Sequence, residues 1–432
     1  MSRRLRTWLE EANYVQFSVF AGAVAFITYF SMYAFRKPYA AASFADGAMV
    51  WGLGLKSAFV ISQTVGYATS KFLGIKYVSE LPRGRRALAL VGIIGVAEFA
   101  LFLFGAVPGN WKIAAIALNG LPLGMVWGLV FSFLEGRRTS DALGAILSAS
   151  FIMASGVVKS VGASLLARGI SEFWMPFYTG LLFLPVIGLM AWLLAHMPPP
   201  SDEDERLRTK REPMSARERR KFFRAFMPGA VLITLMAMVL TAYRDIRDNF
   251  AAEIWAQLGY ADTPSIFGAS EVPVAVVVLV VLGLMVIVKD DRRALQTQLS
   301  LMTGGVALIG VATLAWDVGV LGPVWWMILT GIGLFTAYVP AGCFLFDRLI
   351  GATHFVGTAV FMIYVTDAFG YASSVGMLLY RNFLRPDLEW LSFIRYFGYV
   401  ASVTGVVAFG ASLVYFSRRT ALPPSDDASI RH

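Results

Sequence analysis

Cysteine is nearly absent. Cys343 stands alone among 432 residues, so neither an intrachain disulfide nor a cysteine metal cluster can form. Histidine is almost as scarce. His196, His354 and His432 fall at the ends of apolar runs or at the terminus, and no histidine-based metal site or triad can be assembled from them in a cavity. No phosphate-binding P-loop occurs. Charged residues make up 15% of the chain, against about 25% in a soluble domain. These shortages argue against an enzyme: no catalytic residue, metal ligand or cofactor site is expected.

What the chain has in excess is apolar. Hydrophobic residues reach 57% and the mean hydropathy is +0.64. Apolar stretches recur along the whole chain at about 20 residues, the length that crosses a bilayer as a helix. They are apolar on every face, which excludes the alternation of a β-barrel. Spans are expected at 17–40, 50–73, 87–107, 112–134, 142–165, 174–196, 227–250, 270–289, 297–316, 323–346, 355–379 and 392–416. The N-terminal run after Arg3, Arg4 and Arg6 is too long for a signal-peptide core and is read as the first span, retained.

An even number of spans puts both termini on one side. The termini and the loops on their side hold 26 of the 37 basic residues, and the opposite loops hold seven. The positive-inside rule therefore makes both termini cytoplasmic. It also accounts for the net charge of +9 without a nucleic-acid partner; the lipid bilayer is the expected surroundings. The polar stretch 197–226 divides a first six-helix bundle, 1–196, from a second, 227–417, and 418–432 forms a tail. Its basic part, Arg217 to Arg224, reads as an amphipathic segment at the membrane surface or as a solvated charge run. This all-α, six-plus-six layout resembles the major facilitator superfamily, whose sites lie near the midplane between repeats.

Ionisable side chains at membrane depth are costly and tend to face a cavity or one another. In span 1, Tyr29, Tyr33 and Arg36 are spaced four and three apart and share a helix face. Lys37 follows, and Pro38 is expected to kink the helix without ending it, so that 39–44 extend it. In span 2, Lys56, Gln63, Tyr67 and Lys71 share a face; the two lysines lie about 22 Å apart, too far to hold one small ligand. Span 5 carries Lys159 four residues after Ser155, and span 7 carries Arg244, Asp245, Arg247 and Asp248. Arg244 and Asp248 can pair within the helix, which would leave Arg247 available. In span 11, Tyr364, Asp367 and Tyr371 share a face. Asp367 is a candidate proton carrier, or else the static partner of Lys159 or an arginine.

Glu98, mid-span in span 3 with no polar helix-mates, reads as a helix–helix hydrogen-bonding residue. Arg36, Lys37, Lys56, Lys71, Lys159, Arg244 and Arg247 then outnumber Glu98, Asp245, Asp248 and Asp367 by three. A pathway with surplus positive charge favours an anionic substrate, and arginine grips phosphate or carboxylate with a planar fork. Plainer readings stand beside these. Arg36 and Lys37 can snorkel to the interface, Lys71 can begin a cytoplasmic loop, and the span 7 cluster can be a structural ion-pair network at an extracellular gate. Gly120, Gly124 and Gly128 form a stripe on span 4 that lets two helices approach closely.

Two motifs sharpen the picture. Tyr29-x3-Tyr33-x2-Arg36-Lys37 and Gly66-Tyr67-Ala68-Thr69-Ser70-Lys71-Phe72-Leu73-Gly74 resemble the first two helices of the organophosphate:phosphate antiporter family, the glycerol-phosphate and hexose-phosphate exchangers. Tyr338, Gly370–Tyr371 and 351–357 are similar to family positions as well. The resemblance implies that Arg36 binds a substrate phosphate, that Tyr67, Lys71, Tyr338 and Tyr371 face the cavity, and that Arg244 or Arg247 is a second phosphate arginine. The chain departs from the family in three places. The family's histidine on span 5 falls near Met153, Glu80 and Arg83 replace an Asp-Arg gate pair, and Asp245, Asp248 and Asp367 partly neutralise a phosphate site.

The expected function is a secondary active transporter of a small organic anion, a phosphate ester or phosphate, working by alternating access. Inorganic phosphate or protons are the expected coupling species. The expected form is a monomer in the bacterial inner membrane. Two alternatives remain: a proton-coupled symporter of a non-phosphate anion or zwitterion, with Asp367 as carrier, and a transporter-like sensor with little flux.

Overall fold

The computed structural model describes residues 2–45, 49–134, 140–199, 216–285, 287–343, 345–353 and 360–419. The first part of the linker, the segment 354–359 with His354, and the tail from 420 with His432 lie outside them.

Among the described residues the chain is helical, with no strand beyond an isolated bridge between Val50 and Leu53. Nine helices there are long and apolar enough to cross a membrane, from Val15–Phe35 through Trp390–Arg419. Each coincides with an expected span. Spans 2, 5 and 11 fall on the helices Leu55–Glu80, Ser140–Leu166 and Val360–Leu384, which carry Lys56 and Lys71, Lys159, and Asp367. Leu88, Val91, Phe99 and Phe102 on span 3 and Val400, Val403, Val407 and Val414 on span 12 are exposed along their helices. Rows of exposed apolar side chains on this scale belong against lipid rather than water. The protein is a multi-pass, all-α membrane protein.

Span 1 differs from expectation. A capping box starts it: the Gln16 amide donates to Asn13 Oδ1 at 2.9 Å and the Asn13 amide donates to Gln16 Oε1 at 3.1 Å. The α-helix Tyr14–Met32 then tightens into the 3-10 turns Tyr33–Phe35 and Pro38–Ala41, so Pro38 ends the α-helix. Proline has no amide hydrogen, and its ring clashes with the carbonyl four residues back. The carbonyls this frees need other partners. Asn119 Nδ2 donates to Phe35 O at 2.9 Å and to Ala97 O at 3.0 Å. Gln63 Nε2 donates to Arg36 O at 3.0 Å and to Asn119 Oδ1 at 2.8 Å, and Tyr39 donates to Gln63 Oε1.

The glycine stripe brings span 2 to this junction. A Cβ on Gly120 would strike the carbonyl of Gln63, one on Gly124 the carbonyl of Tyr67, and one on Gly66 the carbonyl of Ala117. The packing role expected of Gly120 and Gly124 is therefore what they perform. The linker's basic part is helical. From Ala216 onward it is the start of the helix Ala216–Asn249 that continues through span 7.

Two compact units can be distinguished. One comprises Met1–Arg208, Ala242–Leu279 and Tyr371–Arg395; the other comprises Thr209–Thr241, Val280–Gly370 and Tyr396–His432. Within the second, Asp291–Asp317 lies close along Pro323–Cys343, since a Cβ on Gly305 or Gly333 would meet the other's carbonyl. Trp316 stacks on Trp326 at 4.3 Å, and Trp326 donates to Thr313.

Candidate functional site

The cationic residues of the first six spans gather in the first unit, with the far ends of spans 7, 8 and 11. Lys37 does not snorkel outward. It is 5% exposed, pairs with Asp248 Oδ2 at 2.6 Å and donates to Asn249 Oδ1 at 2.7 Å. Lys159 pairs with the other oxygen of Asp248 at 2.7 Å, and Ser155 donates to the same oxygen. Asp248 thus joins spans 1, 5 and 7. This corrects two expectations. Asp248 does not pair with Arg244 inside the helix, because two buried lysines from other helices surround it. For the same reason Lys159 goes to Asp248 and not to Asp367.

The span 7 arginines are also engaged. Arg244 donates to Asp245 Oδ1 through Nε at 3.0 Å and Nη2 at 2.7 Å, and Ser374 donates to Asp245 Oδ2 at 2.7 Å. Arg247, expected to stay available, is 3% exposed and pairs with Glu271 at 2.7 Å. Glycine makes that approach possible: a Cβ on Gly156 would meet Glu271 and the carbonyl of Phe267.

At the start of span 2, Lys56 pairs with Glu253 at 2.7 Å and donates to the carbonyl of Ala40 at 3.1 Å. Burial pushes the Glu253 carboxyl up from its ordinary range; Lys56 beside it pulls it down, and the net direction is upward. Phe250 stacks on Trp390 with centroids 3.5 Å apart, and Arg381 lies 4.1 Å over Trp390. Ser57 and Asn382 share hydrogen bonds at 3.2 and 3.3 Å.

Arg36 is the exception. Its guanidinium carbon lies 3.8 Å over the ring of Tyr67 and 5.8 Å from that of Tyr33. Its Nε is buried and has no hydrogen-bond partner among the described residues, and no carboxylate there pairs with it. Tyr29 packs edge-on against Tyr33 at 5.8 Å, and Tyr67 against Tyr371 at 5.7 Å. Lys71 is half-buried on a helix that runs through it to Glu80, so it does not begin a loop. Its ammonium lies 5.6 Å from the Tyr67 ring and 5.1 Å from that of Tyr371. Of the expected substrate residues, Tyr29, Tyr33, Arg36, Tyr67, Lys71 and Tyr371 come together. Tyr338 and Asp367 belong to the second unit.

Glu253 and Glu271 were missed. Both sit within a turn or so of an apolar run and read as loop or span-edge residues. With them counted, the surplus of three positive charges shrinks to one. Asn119, which holds the broken end of span 1, was missed as well, for it is a lone polar residue in an apolar run. No group of three or more potential metal ligands exists among the described residues.

The profile of the family of unknown function DUF5690 matches residues 38–419. The chain belongs to the DUF5690 family. No curated protein matches it. Solved structures do. A peptide transporter, POT, in complex with alafosfalin has a TM-score of 0.62 at 14% identity, over 97% of this chain and 99% of that one. A D-xylose–proton symporter has 0.62 at 15%, over 94% and 98%. The nucleoside transporter NupG has 0.58 at 14%, over 92% and 99%. At these identities the likeness is one of fold, and this DUF5690 chain has the fold of the major facilitator superfamily. All three of these proteins are transport proteins.

Proposed function

We propose that this protein is a secondary active transporter of a small organic anion, with a phosphate ester or phosphate as the class its site suits best. The observation that carries the reading is Arg36. A half-buried guanidinium with no carboxylate beside it among the described residues, and with its Nε buried and unpartnered, is suited to an acceptor, and a phosphoryl or carboxylate group supplies one with matching geometry. Tyr29, Tyr33, Tyr67 and Tyr371 line the guanidinium with hydroxyls that can complete an oxygen shell, and Lys71 adds charge. In the second half Arg244 is the better candidate partner, because Arg247 is committed to a buried glutamate. Tyr338 and Asp367 enter by resemblance alone. The bundles 1–196 and 227–417 would rock around the site, in the manner of organophosphate:phosphate antiporters, in a bacterial inner membrane and as a monomer.

The test is a thermal-shift screen on purified protein with inorganic phosphate, glycerol phosphate, a hexose phosphate, sulfate and an uncharged sugar. A ligand of the folded state raises the melting temperature, by the equivalent of about 2.7 kcal/mol at a hundred times its Kd. Phosphate esters are expected to raise it, and Arg36→Ala to abolish the shift and the uptake by proteoliposomes. An Arg36→Ala protein that keeps both refutes the reading. Binding without flux would make the protein a sensor.

A second reading rests on Asp248, held by Lys37, Lys159 and Ser155. A proton arriving there would release two lysines at once, so Asp248, more than Asp367, is our candidate for proton coupling. Uptake in the same vesicles should then respond to a proton gradient, and in Asp248→Asn it should not. A gradient without effect on the parent counts against coupling.

A further inference from the structure

Glu98 takes no part in the site. It lies mid-helix on span 3, Arg83–Ala106, and is 7% exposed. Neither of its carboxyl oxygens has a hydrogen-bond partner among the described residues, so the expected helix–helix hydrogen bond is not made. Opposite it on span 6 is Gly180, where a Cβ would collide with Glu98 Oε2. The glycine leaves the space that the carboxyl fills.

The charged and titratable groups around it are engaged elsewhere. Span 3 packs against Trp111–Leu123, Met175–Ala195, Val126–Leu134 and the turn Tyr33–Phe35. Their titratable residues are Lys112, Tyr178 and Tyr33. Lys112 donates to the carbonyls of Phe104 at 2.8 Å and Gly105 at 3.4 Å. Tyr178 is exposed, and Tyr33 packs against Tyr29. On Glu98's own helix, Arg83 donates to Pro198 O and Arg86 to Ser132 O, and Arg86 is about 18 Å away along the helix.

An ionised carboxylate in such a place loses its hydration and gains nothing in return, so the neutral acid is the form that fits. We propose that Glu98 is a proton-binding site of the first bundle, separate from Arg36: in this conformation the side chain is held as the neutral acid between spans 3 and 6, and it gives up its proton only when those helices part to admit water. This does not rest on the identity of the substrate.

Infrared spectroscopy of the purified protein tests it directly. At neutral pH the parent should show the carbonyl stretch of a protonated carboxylic acid, and Glu98→Gln should lose it. Glu98→Met, of similar length, serves where the amide does not fold, and it should fold well because no hydrogen bond is removed. A parent without the band, or a folded variant whose band is as strong as the parent's, overturns the proposal. Stability against pH is the second readout. The folded protein would hold a proton that the unfolded chain has released, so the parent's melting temperature should fall relative to the variant's between about pH 5 and about pH 9. A gap that stays constant over that interval also overturns it.

Discussion

Lys37, Lys56 and Lys159 are each at least nine-tenths buried, and each ends on a carboxylate between Asp248 and Glu253. Removing one member of a buried pair strands the other charge and typically costs about 3–5 kcal/mol, whereas replacing both by apolar groups is often neutral. Glu253→Leu is therefore expected to lower the stability of the detergent-solubilised protein by that order. Lys56→Met combined with Glu253→Leu should recover most of it. A double variant as unstable as the sum of the singles would mean that the pair does not act as a unit. Most of the charges at membrane depth were legible, because ionisable groups stand out in apolar runs; Glu271, near the edge of its run, was not. Who pairs with whom was not. Helical spacing finds neighbours on one helix, as with Arg244 and Asp248, but Coulomb attraction between helices decided for Lys37 and Lys159.

At the scale of elements, the junction of spans 1, 2 and 4 sets the position of Arg36. Pro38 breaks the α-helix, Asn119 and Gln63 take the carbonyls it frees, and Gly66, Gly120 and Gly124 let spans 2 and 4 touch backbone to backbone. Gly120→Ala places a methyl against the carbonyl of Gln63, and overpacking of this kind costs about 1–3 kcal/mol. It should also displace Gln63 and Tyr67, so the anion-induced thermal shift should weaken together with the melting temperature. A stabilised variant with an unchanged shift would show that the contact has slack. The stripe itself was readable from its four-residue period. The end of span 1 was misjudged because the run 39–44 is apolar enough to continue a helix, and hydropathy does not register a missing amide hydrogen.

At the scale of the molecule, the class was legible from apolar run lengths alone, and the nine membrane-length helices among the described residues and the fold agree with it. The transported molecule is another matter, since one fold carries many substrates and the site decides among them.

The long-range pairing has a consequence for how the protein is made. Lys37, Lys56 and Lys159 are synthesised early, and their carboxylates follow late: Lys56 and Glu253 are 197 residues apart. Until span 7 emerges from the ribosome, three ammonium groups sit at membrane depth without counter-ions. The nascent first half must keep them wet, or be held by the insertion machinery. A gene split within the linker tests this. The first 199 residues produced alone should accumulate poorly in the membrane, and co-production of residues 216–432 as a second chain should restore them. Equal accumulation in both cases would show that the lysines find other company while they wait.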